Sequence, residues 1–364
     1  VRIVQLANLY SPVSGGLRTA VDMLGNGYVA AGHERVLVVP GSAYSRRETE
    51  AGLVVTVPGP SIAPGYRIVL DPRPVLRVLG TLRPDVIEVS DKATLTAAAR
   101  WARRNGIRTV LFSHERLDAI LASRIPAWVP FEPLTDRWNR HLATAFDAVV
   151  VTSAFAAAEF ARVGASRLHR VPLGVDLETF HPAVETPADN DTLRLIHLGR
   201  LSKEKRPDLP LRALAELQRR GVPARLDVVG SGPMYATLAE YATRNGLPVT
   251  FHGQVRGRAD VARLLAHADV SLAPCPVESF GLAVLESLAC GTPVVAANRG
   301  ASHELLAPGA GVTAAPAPAA FADGVLELTR LPAEQRRKFA RARAEHYPWS
   351  ATITGMLDVL TALR

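Results

Sequence analysis

Residues 193–205 read Leu193-Arg194-Leu195-Ile196-His197-Leu198-Gly199-Arg200-Leu201-Ser202-Lys203-Glu204-Lys205. Leu193–Leu198 is a short apolar run of strand length, and a helical pattern over Leu209–Arg220 follows it. Strand, loop and helix in that order form one unit of a parallel α/β sheet. The loop begins with a glycine and carries Arg200 and Lys205 just beyond the strand's carboxyl end. In a doubly wound sheet that is where a pyrophosphate lies. A guanidinium and an ammonium there would neutralise the charge on a departing diphosphate. A solvated basic loop is the commoner meaning of such a run. Here, however, two of the chain's four lysines (Lys92, Lys203, Lys205 and Lys338) fall in this one loop.

Outward from that unit the pattern repeats. Strands are expected at Arg225–Val229, Val249–Phe251, Val270–Ala273 and Val294–Ala296, with a helix at Tyr235–Asn245. Upstream, an independent series runs through Arg2–Ala7, Arg35–Val39, Val54–Val57, Val86–Val89, Thr109–Phe112, Ala148–Val151 and Leu168–Val171, with helices at Leu17–Ala31, Thr94–Asn105 and Ala156–Val163. The expected fold class is therefore α/β, with two Rossmann-like domains facing across a deep cleft. Residues 1–174 would form the first domain, 175–192 an exposed linker with Pro/Asp/Asn turn chemistry, and 193–346 the second domain. Residues 347–364 would form a C-terminal helix, beyond a kink at Pro348-Trp349, that crosses back to the first domain.

At 364 residues the chain has room for two such cores. Its composition, 48% hydrophobic and 21% charged, is that of an ordinary globular protein. No apolar stretch is long enough for a membrane span, and the N-terminus runs straight into a strand pattern. A cytoplasmic protein is expected, with a peripheral contact on the inner face of the plasma membrane as a further expectation. The net charge of +8 favours anionic partners, but no dense basic run with interleaved aromatics points to nucleic acid. Cys275 and Cys290 sit in apolar surroundings and read as buried thiols.

Three further stretches carry chemistry. Ser14-Gly15-Gly16 lies between the first strand and its helix, where backbone amides can approach an anion; alone this signal is weak. Glu278-Ser279-Phe280-Gly281-Leu282-Ala283-Val284-Leu285-Glu286 sets two carboxylates eight residues apart around a helix start. Eight residues are about two helical turns, so both side chains are expected to point broadly the same way. Glu278 would lie ahead of the helix, and Glu286 inside it, either buried and in need of donors such as sugar hydroxyls or on an ordinary surface. The amides of Phe280, Gly281 and Leu282 would open a helix able to hold phosphate. Asp189-Asn190-Asp191 has an Asp-x-Asp form that binds metal elsewhere, but it sits in the linker and reads as a solvated turn; no metal and no cofactor are expected.

Glu-x7-Glu after a strand, the Gly-Arg-x4-Lys loop upstream of it and Gly-Gly near the start resemble the retaining family-4 glycosyltransferases of GT-B fold, over essentially the whole chain. The resemblance implies roles. Gly15 and Gly16 would meet the donor phosphates, with Gly16 giving a backbone amide. Arg200 and Lys205 would stabilise the leaving nucleoside diphosphate, Glu278 would hold the transferred sugar, and Glu286 the ribose. His114 would face the sugar at the reaction centre, and Gly253 and Val255 would cup the base. Ser14–Asp22, Glu88-Val89-Ser90-Asp91 and Ser113–Asp118 resemble, more narrowly, actinobacterial mannosyltransferases that use GDP-mannose, including those that elaborate phosphatidylinositol mannosides. That implies transfer with retention and no protein nucleophile, from GDP-mannose to a glycolipid or glycoside, by a monomer.

A UDP-sugar donor with a soluble sugar or natural-product acceptor fits the same motifs. A nucleotide-sugar epimerase or a non-catalytic sugar-nucleotide binder keeps the fold and changes the chemistry. A nicotinamide dehydrogenase would need a Gly-x-Gly-x-x-Gly spacing that the loop from Asn8 to Gly16 lacks. On the acceptor side, Trp128, Phe131 and Trp138 with Arg124, Arg137 and Arg140 could touch an anionic membrane, or the aromatics could pack on the domain core. Arg67, Arg73 and Arg77 form a second patch with the same two readings.

Overall fold

The computed structural model describes residues 1–11, 15–122, 128–183 and 192–362. The described chain divides into two compact units, one of residues 1–121, 128–173 and 349–362 and one of residues 174–183 and 192–348. In chain order the strands are β1 (Arg2–Leu6), β2 (Glu34–Gly41), β3 (Ser45–Thr49), β4 (Gly52–Pro58), β5 (Ser61–Ala63), β6 (Tyr66–Arg67), β7 (Val86–Val89), β8 (Arg108–Ser113), β9 (Ala148–Val151), β10 (Leu168–Arg170), β11 (Leu193–Leu198), β12 (Ala224–Val229), β13 (Val249–Gly253), β14 (Val270–Ala273), β15 (Val294–Ala297) and β16 (Gly311–Ala314). The helices are α1 (Gly16–Ala30), α2 (Arg73–Leu82), α3 (Ala97–Arg104), α4 (Leu117–Ala122), α5 (Glu132–Ala145), α6 (Ala154–Ala161), α7 (Asp208–Arg219), α8 (Tyr235–Arg244), α9 (Arg258–His267), α10 (Leu282–Ala289), α11 (Pro318–Thr329), α12 (Ala333–Ala344) and α13 (Trp349–Ala362).

The first unit is built on a sheet of order β10-β9-β8-β7-β1-β2-β4-β3, parallel throughout except for the antiparallel β3 at its edge. Every residue of β7 and β9 is buried, as expected for parallel strands covered on both faces. Glu88 in β7 is tolerated there because its carboxylate is satisfied. Gln5 Nε2 donates to it at 2.9 Å and Tyr28 OH at 2.7 Å, while Arg35 Nε donates to Gln5 Oε1 at 2.8 Å. Burial nonetheless holds the Glu88 carboxyl above the usual range. α13 packs against α1 within this unit. A Cβ on Gly27 would lie 2.3 Å from Ile353 Cδ1, so the glycine is what lets the two helices approach. Thr352 Oγ1 also donates to Pro172 O at 2.9 Å.

The second unit holds a wholly parallel sheet of order β13-β12-β11-β14-β15-β16. The chain winds outward from β11 in one direction and from β14 in the other, so the switch point lies between these two neighbours. The exposed linker expected from residue 175 is, in its first part, packed chain. Val175 and Phe180 are buried, and the Asp176 carboxylate accepts from the amides of Glu178 and Thr179. Val175 N also donates to Tyr347 O at 2.9 Å. The Asp189-Asn190-Asp191 stretch and Ser14 lie outside the described residues.

Some elements differ from the sequence reading. Thr94–Asn105 is one turn of 3-10 helix at Thr94–Thr96 followed by α3. β3, the β5–β6 hairpin and β16 carry no apolar run long enough to announce them; β3 reads Ser-Arg-Arg-Glu-Thr and is exposed along most of its length. The region Ile120–His141, whose aromatics had both a surface and a core reading, holds the end of α4 and most of α5. Trp138 packs against the core and donates Nε1–H to Lys92 O at 2.8 Å, so it is no part of a surface patch. Trp128 is 82% exposed. Arg124 lies outside the described residues.

Candidate active site

In the second unit the loops that leave β11 and β14 emerge side by side at the switch point. The loop after β11 curls into a 3-10 turn at Lys203–Lys205, closed by Arg206 in the left-handed region. This brings Lys205 Nζ to 2.8 Å from a Glu278 carboxylate oxygen on the loop after β14. Cys275 Sγ, from the same β14 loop, donates to Glu204 O at 3.6 Å and ties the two loops a second time. Burial pulls the Lys205 ammonium down, but Glu278, Cys275 and Glu204 around it more than reverse this and hold it above the ordinary lysine range. Arg200, at the head of the loop, is exposed.

The backbone beneath these groups is close-packed. Gly230, at the end of β12, has φ 136°, and a Cβ there would lie 1.9 Å from Gly199 O. Leu201 N donates to Ser231 O, and Met234 N to Leu201 O. The stretch Gly230-Ser231-Gly232 thus forms the floor on which the Arg200–Lys205 loop rests. Glu278 is held similarly: its carbonyl accepts from Ala301 N at 2.7 Å, and Gly300 leaves room for it.

The two glutamates do not share a helix face. α10 begins only at Leu282, so half of the eight-residue spacing is irregular chain and the two-turn argument does not apply. Glu278 faces Lys205. The charges that act on the Glu286 carboxyl are those of Arg258 and Asp176. Burial pushes the Glu286 carboxyl up to about 7, against Arg258 and with Asp176. Arg258 Nη1 is 3.6 Å from Asp176 Oδ2, and its guanidinium lies over the Phe180 ring. Gly281, in the left-handed region at φ 105°, caps α10 without a side-chain hydrogen bond, and Phe280 is buried. The helix start formed by Phe280, Gly281 and Leu282 therefore presents backbone amides beside the Lys205–Glu278 pair. Gly253, at φ 64°, accepts from Gly230 N at 2.8 Å and leads into the half-buried Val255 and the start of α9.

In the first unit a small open cavity sits at the carboxyl ends of β1, β7 and β8, the corresponding switch point of that sheet. Asn8 and Leu9, Asp91 and Lys92, and His114 and Glu115 come from the three strand-end loops, and Leu17 comes from the first turn of α1. Leu9 takes φ 59°, a strained conformation for a leucine, where the chain turns out of β1. Gly16 opens α1 and Gly15 precedes it, exposed and with open space where a Cβ would stand. His114 is largely enclosed. Burial lowers its pKa, Glu115 opposes this, and the Lys92 charge adds to it, so the imidazole is neutral near pH 7.

Cys275 and Cys290 are buried thiols, as expected, but the sequence reading missed the Gly230–Gly232 floor, the Cys275–Glu204 contact and the Lys205–Glu278 contact. Gly-Ser-Gly directly after a strand was the available signal for the first. Among the described residues no group of three His, Cys, Asp or Glu side chains could hold a metal ion.

Residues 14–179 match the model of Glycosyltransferase Family 4, and residues 183–346 that of glycosyl transferases group 1. The chain is 46% identical over its full length, and over 97% of the relative, to a GDP-mannose-dependent alpha-(1-6)-phosphatidylinositol dimannoside mannosyltransferase of Mycobacterium tuberculosis. Among solved structures it resembles sucrose-phosphate synthase from Thermosynechococcus elongatus, with TM-score 0.82 and 19% identity, covering 100% of this chain and 98% of that one. It also resembles Anabaena HepE in complex with UDP, with TM-score 0.78 and 20% identity over the whole of both chains. The chain belongs to the family-4 glycosyltransferases and has their GT-B fold of two Rossmann-like domains.

Proposed function

We propose that the protein is a retaining mannosyltransferase that moves mannose from GDP-mannose onto a phosphatidylinositol mannoside or a related glycolipid, in α-linkage. The observation that carries the reading is the Lys205–Glu278 pair at the β11/β14 switch point, with exposed Arg200 beside it and an uncapped helix start behind it. The full-length likeness to a GDP-mannose-dependent relative supports the choice of donor and acceptor.

In this reading Arg200 and Lys205 hold the diphosphate and stabilise the charge that develops as it leaves. The amides of Gly281 and Leu282 and of Gly16 add dipoles towards the phosphates. Glu278 accepts from hydroxyls of the sugar while fixing the Lys205 ammonium. Glu286, largely desolvated, accepts from the ribose hydroxyls, and Gly253 and Val255 flank the base. His114, neutral, meets the sugar at the reaction centre. The acceptor hydroxyl attacks the anomeric carbon from the face on which the bond to the diphosphate oxygen breaks, and its proton passes to that departing oxygen, so configuration is retained without a covalent enzyme intermediate. Two cations already face the leaving group, so the reaction runs without a metal and EDTA leaves the rate unchanged. No described helix is long and apolar enough to cross a membrane. Access to a lipid acceptor would then be peripheral, at an anionic cytoplasmic surface, with exposed Trp128 and Leu134 as contacts.

A thermal-shift panel with GDP, UDP, GDP-mannose, UDP-glucose and UDP-N-acetylglucosamine tests the donor. A ligand at ~100 times its dissociation constant should stabilise by roughly 2.7 kcal/mol. Stabilisation by GDP and GDP-mannose alone is the expected result, and selective stabilisation by the UDP compounds would remove mannose from the reading.

A further inference from the structure

Lys92 and Glu159 are 67 residues apart and meet inside the first unit, the ammonium directly on the carboxylate. Glu159 is fully buried, and Lys92 lies over the Phe160 ring at 4.9 Å. A buried ion pair seldom improves on well-packed apolar side chains, because both charges lose their hydration. Its remaining hydrogen bonds are therefore the informative part. The Lys92 ammonium donates to Glu115 O at 2.6 Å. The second Glu159 oxygen accepts from Leu117 N at 3.0 Å and from Asn139 Nδ2 at 3.1 Å. Lys92 is in turn fixed by Trp138 Nε1, which donates to its carbonyl. One charge thus holds the carbonyl, and the other the amide, on either side of Arg116, in the turn that begins directly after His114. Lys92, Glu115 and His114 all line the cavity at the ends of β7 and β8.

We propose that Lys92 and Glu159 are a positioning pair: together they clamp the backbone turn 115–117 and so aim His114 into the cavity at the strand ends. The proposal rests on the reading of His114 as the residue that meets the transferred sugar. The charged groups around His114 are Asp91 from the β7 loop, Glu115 from its own loop, and Lys92.

The test compares Lys92→Met/Glu159→Gln, Leu117→Pro and His114→Ala with the wild-type protein. Mannose transfer from GDP-mannose to phosphatidylinositol dimannoside, GDP affinity by calorimetry and thermal melting are the readouts. The double variant removes both charges at nearly constant volume. Leu117→Pro keeps both charges and removes the amide that Glu159 holds, at the first position of α4, where proline is tolerated. The expected result for each is a fall in kcat of about 10²-fold with GDP affinity unchanged, as for a misplaced reacting group. In the double variant the acid limb of the kcat profile also moves to higher pH, because the cation beside His114 is gone. Wild-type kcat and an unchanged acid limb in a folded double variant would overturn the proposal. Should the double variant fail to fold, wild-type kcat in Leu117→Pro would overturn it in the same way. If His114→Ala keeps wild-type kcat, the role assigned to His114 is wrong and the clamp has no catalytic purpose. If the wild-type protein binds no GDP, the fault lies in the donor reading instead.

Discussion

Lys205 and Glu278 stand 73 residues apart and meet at 2.8 Å where two neighbouring parallel strands send their loops in opposite directions. Lys205 ends a single 3-10 turn and Glu278 lies in irregular chain ahead of α10. Each is placed by backbone: Lys205 by the turn that rests on Gly230–Gly232, and Glu278 by the amide of Ala301. The contact orients a cation without neutralising the site, because Arg200 adds a second positive group nearby.

Loss of this pair should appear in chemistry before it appears in folding. Lys205→Met is expected to lower kcat/KM by about 10²–10³-fold, the usual result of removing one preorganised group that stabilises developing charge. Steady-state kinetics with GDP-mannose, beside circular dichroism on the same sample, checks it. A smaller loss than in Glu278→Gln would place the decisive charge elsewhere.

Glu286 makes the second unit sensitive to pH in a defined direction. Its carboxyl is pushed up to about 7 by burial. In the window from the unfolded value near 4.5 up to about 7 the native state holds the extra proton. Stability therefore falls as pH rises through this window, by at most roughly 3 kcal/mol, and is flat above it. Urea melts at pH 5 and pH 8 should show the difference, and Glu286→Gln should abolish it.

The same carboxyl links donor binding to protons. Ribose hydroxyls favour the charged form, so binding GDP near pH 6.5 should release a fraction of a proton. Calorimetry in two buffers of different ionisation enthalpy measures this directly. Equal heats in both buffers would separate Glu286 from the ribose.

Gly230→Ala should be far more damaging than its size suggests. The new methyl would meet Gly199 O at 1.9 Å, with backbone on both sides of the clash. A loss of at least ~3 kcal/mol is expected, together with loss of GDP binding, since the floor of the Arg200–Lys205 loop must move. Gly246→Ala, also at positive φ but facing open space, serves as the control and should keep GDP binding.

Much of the architecture was legible because the central strands are short runs made mostly of apolar residues. Val86–Val89 and Ala148–Val151 are buried throughout, and Leu193–Leu198 and Val270–Ala273 over most of their central residues. The edge strands β10 and β13 were legible too, but the edges β3 and β16 were not. β3 is polar because it faces water, and β16 begins at Gly311 beside an Ala/Pro stretch. Arg200, Lys205 and Glu278 could be picked out because strand ends in a doubly wound sheet are where ligands bind. Which of them touch could not, since contact depends on where loops fold back. The eight-residue spacing suggested that Glu278 and Glu286 point broadly the same way, while the fold sets Glu278 on Lys205 and leaves Glu286 under the charges of Arg258 and Asp176. The Lys92–Glu159 contact has no local signature at all.

The measurement that bears most directly on the central claim is transfer itself. The protein, GDP-[13C]mannose and phosphatidylinositol dimannoside are incubated in mixed micelles with EDTA, and the product linkage is read by NMR. The expected result is a single new α-mannosyl residue on the lipid with stoichiometric release of GDP. Release of free mannose only, an epimerised nucleotide sugar, or turnover confined to UDP-sugar donors would contradict it.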